Sequence, residues 1–209
     1  PARYVDGKNG RKGVYVSYGG VIEDMELAPL TDCLKLLKAS PDWTSHDQET
    51  VVKWYRDYAD WLLTHQHGKD EAATRNNHGS WFWSEIAVFL EYIGESDRAA
   101  DLTRENFPER LHLQIEPDGS QPEELFRTIA LNYCTMSLTS FVNWAVVASR
   151  CGVDLWSFET EDGRSLLKAI DWMVPYWKAP DRWDWKQIKH FNPSEAVPVL
   201  SQTYHGTLR

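Results

Sequence analysis

The sequence predicts an all-α protein built from antiparallel helical hairpins, and three observations carry that prediction. Apolar residues recur at i, i+3, i+4 and i+7 in successive segments. Polar, turn-rich stretches separate those segments. No stretch alternates apolar and polar residues as a half-buried strand would, and no repeat of fixed period stands out. Helical bundles, solenoids and α/α toroids share this pattern, and periodicity does not choose among them.

Taken in order, residues 1–20 (PARYVDGKNGRKGVYVSYGG) are Gly-rich and read as irregular structure. Ile22, Met25, Leu30, Cys33, Leu34 and Leu37 have helical spacing, with Pro29 as a kink or new start and Pro41 as the end. Ser45 and Gln48 form a capping-box pattern ahead of Val51, Val52, Tyr55, Tyr58, Ala59, Leu62 and Leu63, which predicts a helix from His46 to Thr64. Residues 65–80 read as a long polar loop, a place where function concentrates. A third helix carries Trp83, Ile86, Ala87, Leu90 and Ile93 and ends at Gly94. Ser96 caps a fourth, which Pro108 is expected to disturb.

Residues 114–122 form a second turn-rich loop, and Pro122 suits a first helical position. From Glu123 to Arg150 the chain reads as one long helix or two abutting ones, burying Leu125, Ile129, Met136, Phe141 and Val146 and ending at Gly152. A last helix spans Ser165 to Val174, and the proline-bearing tail 178–209 reads as irregular.

The 209 residues suffice for one core and are read as a single domain, 1–209. A net charge of −9 argues against a general nucleic-acid binder, which needs a basic face. No apolar run approaches the roughly 18–20 residues of a membrane span. Cys33, Cys134 and Cys151 are too few for a disulfide scaffold and read as buried free thiols. Eleven tryptophans are a surplus that goes to the core, to interfaces or to sugar-stacking surfaces.

Two strings carry candidate chemistry. Asn76-Asn77-His78-Gly79-Ser80-Trp81 closes the long loop. Two carboxamides and an imidazole are poor core builders, although a capping Asn beside a surface His would also account for them. Gly119-Ser120-Gln121-Pro122-Glu123-Glu124-Leu125-Phe126-Arg127-Thr128 is followed by Tyr133. Arg127 and Tyr133 are six apart, so they share no stripe of a continuous helix. They converge if the helix unwinds between them; otherwise Arg127 pairs with Glu123 or Glu124 and Tyr133 joins the core.

Together these strings resemble the alginate lyase family, α/α-toroid polysaccharide lyases of families 5 and 38. The resemblance extends to NGRKG (9–13), DCLKLLKASPDWT (32–44), WYRDYADWLLT (54–64), KDEAATRNNHGSWF (69–82), IEPDGSQPEELFRT (115–128) and VDLWSFETEDGRSLLKAIDWMVPY (153–176), in order along most of the chain. It implies an incomplete α/α toroid, with helices that precede the NGRKG segment in the family missing here; the exposed first helix would then need cover or self-association.

The resemblance also implies a β-elimination on an anionic polysaccharide such as alginate or glucuronan. The uronate C5 proton lies next to a carboxylate that is already negative, so a site must neutralise that carboxylate before the proton can leave. Asn77 and Arg127 match the family's positions for that task, and His78 and Tyr133 match its proton-transfer residues. An imidazole suits a base near neutrality and a phenol suits an acid. Whether His78 or Tyr133 takes the C5 proton depends on whether that proton and O4 leave from one face or two. Asn76, Arg75, Trp81 and Gln121 are the expected substrate-binding neighbours, with Trp83, Trp183 and Trp185 as further stacking candidates and Lys69 and Arg11 as sources of positive potential.

No cofactor or metal is expected, since His-x-His at His65 and His67 is commonplace in a polar loop and no Cys or carboxylate stands at ligand spacing from it. A helical glycoside hydrolase using Asp70, Asp118, Glu123 or Glu124, or a non-catalytic carbohydrate-binding protein, are the competing readings. Action on an external polymer implies a secreted or periplasmic protein.

Overall fold

The computed structural model describes residues 3–5, 12–14 and 19–208. Within the segment expected to be irregular, β1 (Arg3–Val5) and β2 (Lys12–Val14) pair antiparallel as a short ribbon. Arg11, expected to add positive potential, lies outside the described residues.

The rest is helical. A short helix α1 (Gly19–Ile22) and one 3₁₀ turn lead into α2 (Leu27–Leu37). Then come α3 (Ser45–Thr64), α4 (Gln66–Ala72), α5 (Asn77–Tyr92) and α6 (Ser96–Gln114). The second half holds α7 (Pro122–Leu125), α8 (Ala130–Arg150), α9 (Leu166–Lys178) and α10 (Val197–Thr207).

These helices form two layers. α5 and α8 pack on each other most extensively, α2 flanks α5, and α10 flanks α8. The row α2–α5–α8–α10 is an inner wall around a cavity of about 710 Å³, which Thr31, Trp81, Met136 and Pro198 help to line. α3 and α6 pack behind α5, and α9 packs behind α8. This is an arc of an α/α toroid. Its core lies between the layers as two apolar clusters, one around Tyr55, Leu62, Ile86 and Phe89 and one around Phe107, Leu138, Phe141 and Trp144.

Several local expectations are corrected. The cap of α3 is Thr44 with Asp47, one residue earlier than Ser45 with Gln48: the Thr44 hydroxyl accepts from the Asp47 N–H, and the Asp47 carboxylate accepts from the Thr44 N–H. The long polar loop contains α4, whose short sequence, QHGKDEA, has no apolar stripe to announce it. Pro108 sits inside α6 without ending it. α9 continues past Val174 to Lys178, and the tail contains α10 packed on α8. Cys134 is buried, but Cys33 is exposed on α2; all three thiols are free.

The decisive difference falls between Glu123 and Arg150. The pattern that reads as one helix breaks over residues 126–129, separating α7 from α8. The tail stabilises that break. The Ala130 N–H donates to the Lys186 carbonyl, the Ile188 N–H donates to the Thr128 carbonyl, and the Leu131 N–H donates to the Gln187 side chain. Backbone donors that a helix start leaves unpaired are thereby satisfied from a segment more than fifty residues away.

Candidate active site

α5 and α8 begin at the same rim of the inner wall. Asn76 caps α5, its side-chain oxygen accepting from the His78 N–H at 3.2 Å. Asn77, the first residue of α5, is fully buried. Its backbone N–H and its Nδ2 both donate to Glu124 Oε1, at 2.7 and 2.8 Å. Glu124 comes from α7, so a carboxylate from one hairpin caps the positive N-terminus of a helix in the next. Burial pushes the Glu124 carboxyl above the usual range, against the Asn77 bonds and the charges of Arg127 and His78, which pull it down.

The break before α8 brings Arg127 and Tyr133 together. The Arg127 guanidinium lies 3.7 Å from the centroid of the Tyr133 ring. Its other neighbour is Glu124 Oε2, 3.9 Å away. The Arg127 side chain keeps about a third of its surface, so its fork can still meet a ligand. His78 is a quarter exposed, and its Nδ1 lies 2.6 Å from Oε1 of Glu71, a carboxylate on α4 with no exposed surface. The elements thus converge as α4 (Glu71), α5 (Asn77, His78), α7 (Glu124), the break (Arg127) and α8 (Tyr133).

The flanking residues divide. Arg75 is exposed, with a loose contact of 3.9 Å to Glu123. Trp81 is only 6% exposed and turns into the inner cavity. Gln121 is 1% exposed and donates to the Cys134 carbonyl. Direct sugar contact by Trp81 at the His78 rim, or by Gln121, is not what this burial supports. Trp183 and Trp185 gather with Trp172 and Tyr176 into an aromatic cluster beside the tail segment that braces the break. Lys69 lies on α4, exposed. Asn77 also differs from expectation: no part of it reaches the surface, and its amide is turned to Glu124.

Sequence reasoning missed the roles of Glu71, Glu124 and Arg110. Glu124 reads in the sequence as a surface partner of Arg127 or as one of several candidate hydrolase carboxylates, and not as the cap of α5. Arg110 is 3% exposed and donates to the Thr74 carbonyl at 2.5 Å, bracing the chain just before Asn76. A Cβ on Gly79 would stand 2.3 Å from Arg110 Nη1 and 2.7 Å from that same carbonyl, which explains a glycine next to His78. Among the described residues no cluster of three or more His, Cys, Asp or Glu is placed to hold a metal. His65 instead caps α4, accepting from the His67 N–H. No described helix is long and apolar enough to cross a membrane.

The sequence model of the alginate lyase family matches residues 4–183. The chain belongs to the alginate lyase family. Among solved structures it is similar to an alginate lyase from Bacteroides ovatus, with 29% identity over 97% of this chain and 53% of that one, at a TM-score of 0.87. It is also similar in fold to alginate lyase A1-III from Sphingomonas species A1, with 24% identity over 79% of this chain and 46% of that one, at a TM-score of 0.61. A variant of A1-III complexed with a tetrasaccharide matches at a TM-score of 0.62, again with 24% identity over 79% and 46% of the two chains. The chain therefore spans about half the length of these alginate lyases. No curated protein matches it. The all-α toroid expected from the family resemblance is the fold found.

Proposed function

We propose that this protein is a polysaccharide lyase that cleaves a 1,4-linked polyuronate, alginate or glucuronan, by β-elimination, leaving 4,5-unsaturated uronate ends. The observation that carries this reading is the stacking of the Arg127 guanidinium over the Tyr133 ring, next to the N-terminus of α5. A fixed, partly exposed cation beside a phenol is what elimination from a uronate needs: one group for the carboxylate and one for a proton. The two inner helices that start here add their positive ends.

Each residue then has a defined part. Arg127 pairs with the substrate carboxylate and stabilises the charge that builds when the C5 proton leaves. Asn77 holds Glu124 and thereby the Arg127 side of the site, rather than touching sugar in this conformation. Tyr133 gives a proton to the departing O4. His78 is the proton acceptor. In guluronate the C5 proton and O4 lie on opposite faces, and His78 takes that proton directly. In mannuronate or glucuronate they share a face; there His78 takes the phenolic proton, and Tyr133 both removes the C5 proton and delivers it to O4. In either case the C5–H electron pair becomes the C4–C5 double bond as the C4–O4 bond breaks.

The family assignment and the tetrasaccharide bound by A1-III support an oligosaccharide ligand. A hydrolase would need two carboxylates facing the cleft. The two carboxylates nearest the site, Glu71 and Glu124, are buried and engaged with His78 and Asn77. A lyase of external polymer fits a secreted or periplasmic location. The test is a panel of mannuronate blocks, guluronate blocks and glucuronan. Near-ultraviolet absorbance from unsaturated products supports the reading; reducing ends without that chromophore, or binding without turnover, overturns it.

A further inference from the structure

His78 is gripped by a carboxylate to which the proposed elimination assigns no task. Glu71 has no exposed surface, and its Oε1 stands 2.6 Å from His78 Nδ1, a separation typical of a charge-assisted hydrogen bond. Its second oxygen, Oε2, has no hydrogen-bond partner. Glu71 is thus buried for a single contact, and that contact is the ring of the proton-transfer histidine.

We propose that Glu71 is a positioning residue that holds the Nδ1–H form of His78 and so presents Nε2 as a proton acceptor. The inference rests on the lyase reading of this site. A carboxylate only accepts hydrogen bonds, so Nδ1 must carry the hydrogen between them. The neutral ring then has its lone pair at Nε2, the nitrogen that Glu71 does not engage. Once Nε2 takes a proton, from C5 or from Tyr133, the new imidazolium faces the Glu71 charge at Nδ1 and is stabilised by it. The neutral Nε2–H form, which could only donate to a substrate, is excluded. Both stereochemical routes need the acceptor.

The surroundings support this division of labour. Beside Glu71 from α4, His78 has the Glu124 carboxylate of α7 within electrostatic reach, and Arg127 from the break before α8 stands on the other side of that carboxylate. Glu124 is committed to Asn77. Glu85, on α5, lies near Glu71, and burial pushes its carboxyl well above the usual range, which disfavours a second anion beside Glu71. The backbone under Glu71 is tightly seated, because a Cβ on Gly68 would fall 1.8 Å from the Leu62 carbonyl oxygen, where α4 turns against the end of α3. Short helix and close approach fix the carboxylate that fixes the ring.

The test reads the tautomer itself. Protein labelled with ¹⁵N-histidine is observed by long-range ¹H–¹⁵N NMR above the histidine titration, with a His78→Gln variant assigning one ring among the seven histidines. A protonated Nδ1 and bare Nε2 at His78 is the expected result; a protonated Nε2 overturns the proposal. In parallel, Glu71→Gln should lower kcat by about tenfold or more, as loss of an organised proton acceptor does, with KM within about twofold. Glu71→Asp should recover part of that loss. Wild-type kcat and an unchanged pH profile in folded Glu71→Gln overturn the proposal even if the lyase reading stands. Absence of unsaturated product from the wild type defeats the lyase reading instead and leaves the tautomer result to be read on its own. If Glu71→Gln does not fold, the wild-type tautomer decides.

Discussion

The guanidinium of Arg127 stands 3.7 Å from the centre of the Tyr133 ring, although the two residues face different ways on any continuous helix. The contact exists because residues 126–129 leave the helix and the tail around Gln187 binds the exposed backbone. Cation and phenol are therefore a unit, and substitutions should separate their contributions.

Tyr133→Phe keeps the ring beneath Arg127 and removes only the hydroxyl. We expect kcat to fall by about 10²–10⁴-fold, the range for losing a proton-transfer group, with oligosaccharide binding retained. Turnover by product absorbance, beside binding by calorimetry, checks this.

Arg127→Lys keeps charge but loses the planar fork that spans carboxylate and ring. A loss of about 10²-fold or more in kcat at saturating substrate is expected, because the group acts on developing charge. An effect confined to KM would make Arg127 an ordinary binding residue.

Glu124→Ala leaves two Asn77 donors buried without an acceptor. The cost should be about 1–3 kcal/mol of stability for each donor left unpaired, seen as a lower denaturant midpoint. Activity should fall as well, since the start of α5 loses its cap.

Gly79→Ala places a methyl against Arg110 and the Thr74 carbonyl. A destabilisation of about 1–3 kcal/mol is expected from the forced backbone shift, together with reduced kcat through displacement of His78. Thermal melting and turnover measured on the same preparation check both.

Glu85 gives a pH-dependent prediction. Its carboxyl is buried, neither oxygen has a partner, and burial raises it well above the usual range in the folded state. The sign follows from linkage: the unfolded chain releases this proton near the ordinary carboxylate range, while the folded protein holds it to a higher pH. The stability Glu85 contributes is therefore complete in acid and is lost as pH rises above that range. Glu85→Gln should raise the urea midpoint more at pH 8 than at pH 5; an equal change at both would show that the carboxyl ionises in place.

The helices were legible where their signals are local. Periodicity placed α3, α5 and α6, and Gly94 marked the end of α5 with a backbone φ of +86°. α4 and α10 were not legible, because a short polar helix and a tail helix held largely by packing on α8 carry weak stripes. Asn76, Asn77, His78, Arg127 and Tyr133 stood out as residue types and as a family resemblance. Glu71 and Glu124 did not, since a carboxylate in an acidic chain looks like solvated surface until its burial is known.

By itself the sequence determined the helical class, the family and the two strings that meet at the site, because apolar spacing and side-chain chemistry are written residue by residue. Only the tertiary structure decided that the long helix breaks before Ala130, that Arg127 covers Tyr133, and that buried carboxylates hold Asn77 and His78. Those outcomes depend on backbone and side-chain partners brought from distant positions, such as Gln187 against Leu131 and Glu124 against Asn77, and no local pattern encodes a partner that arrives only when the layers pack.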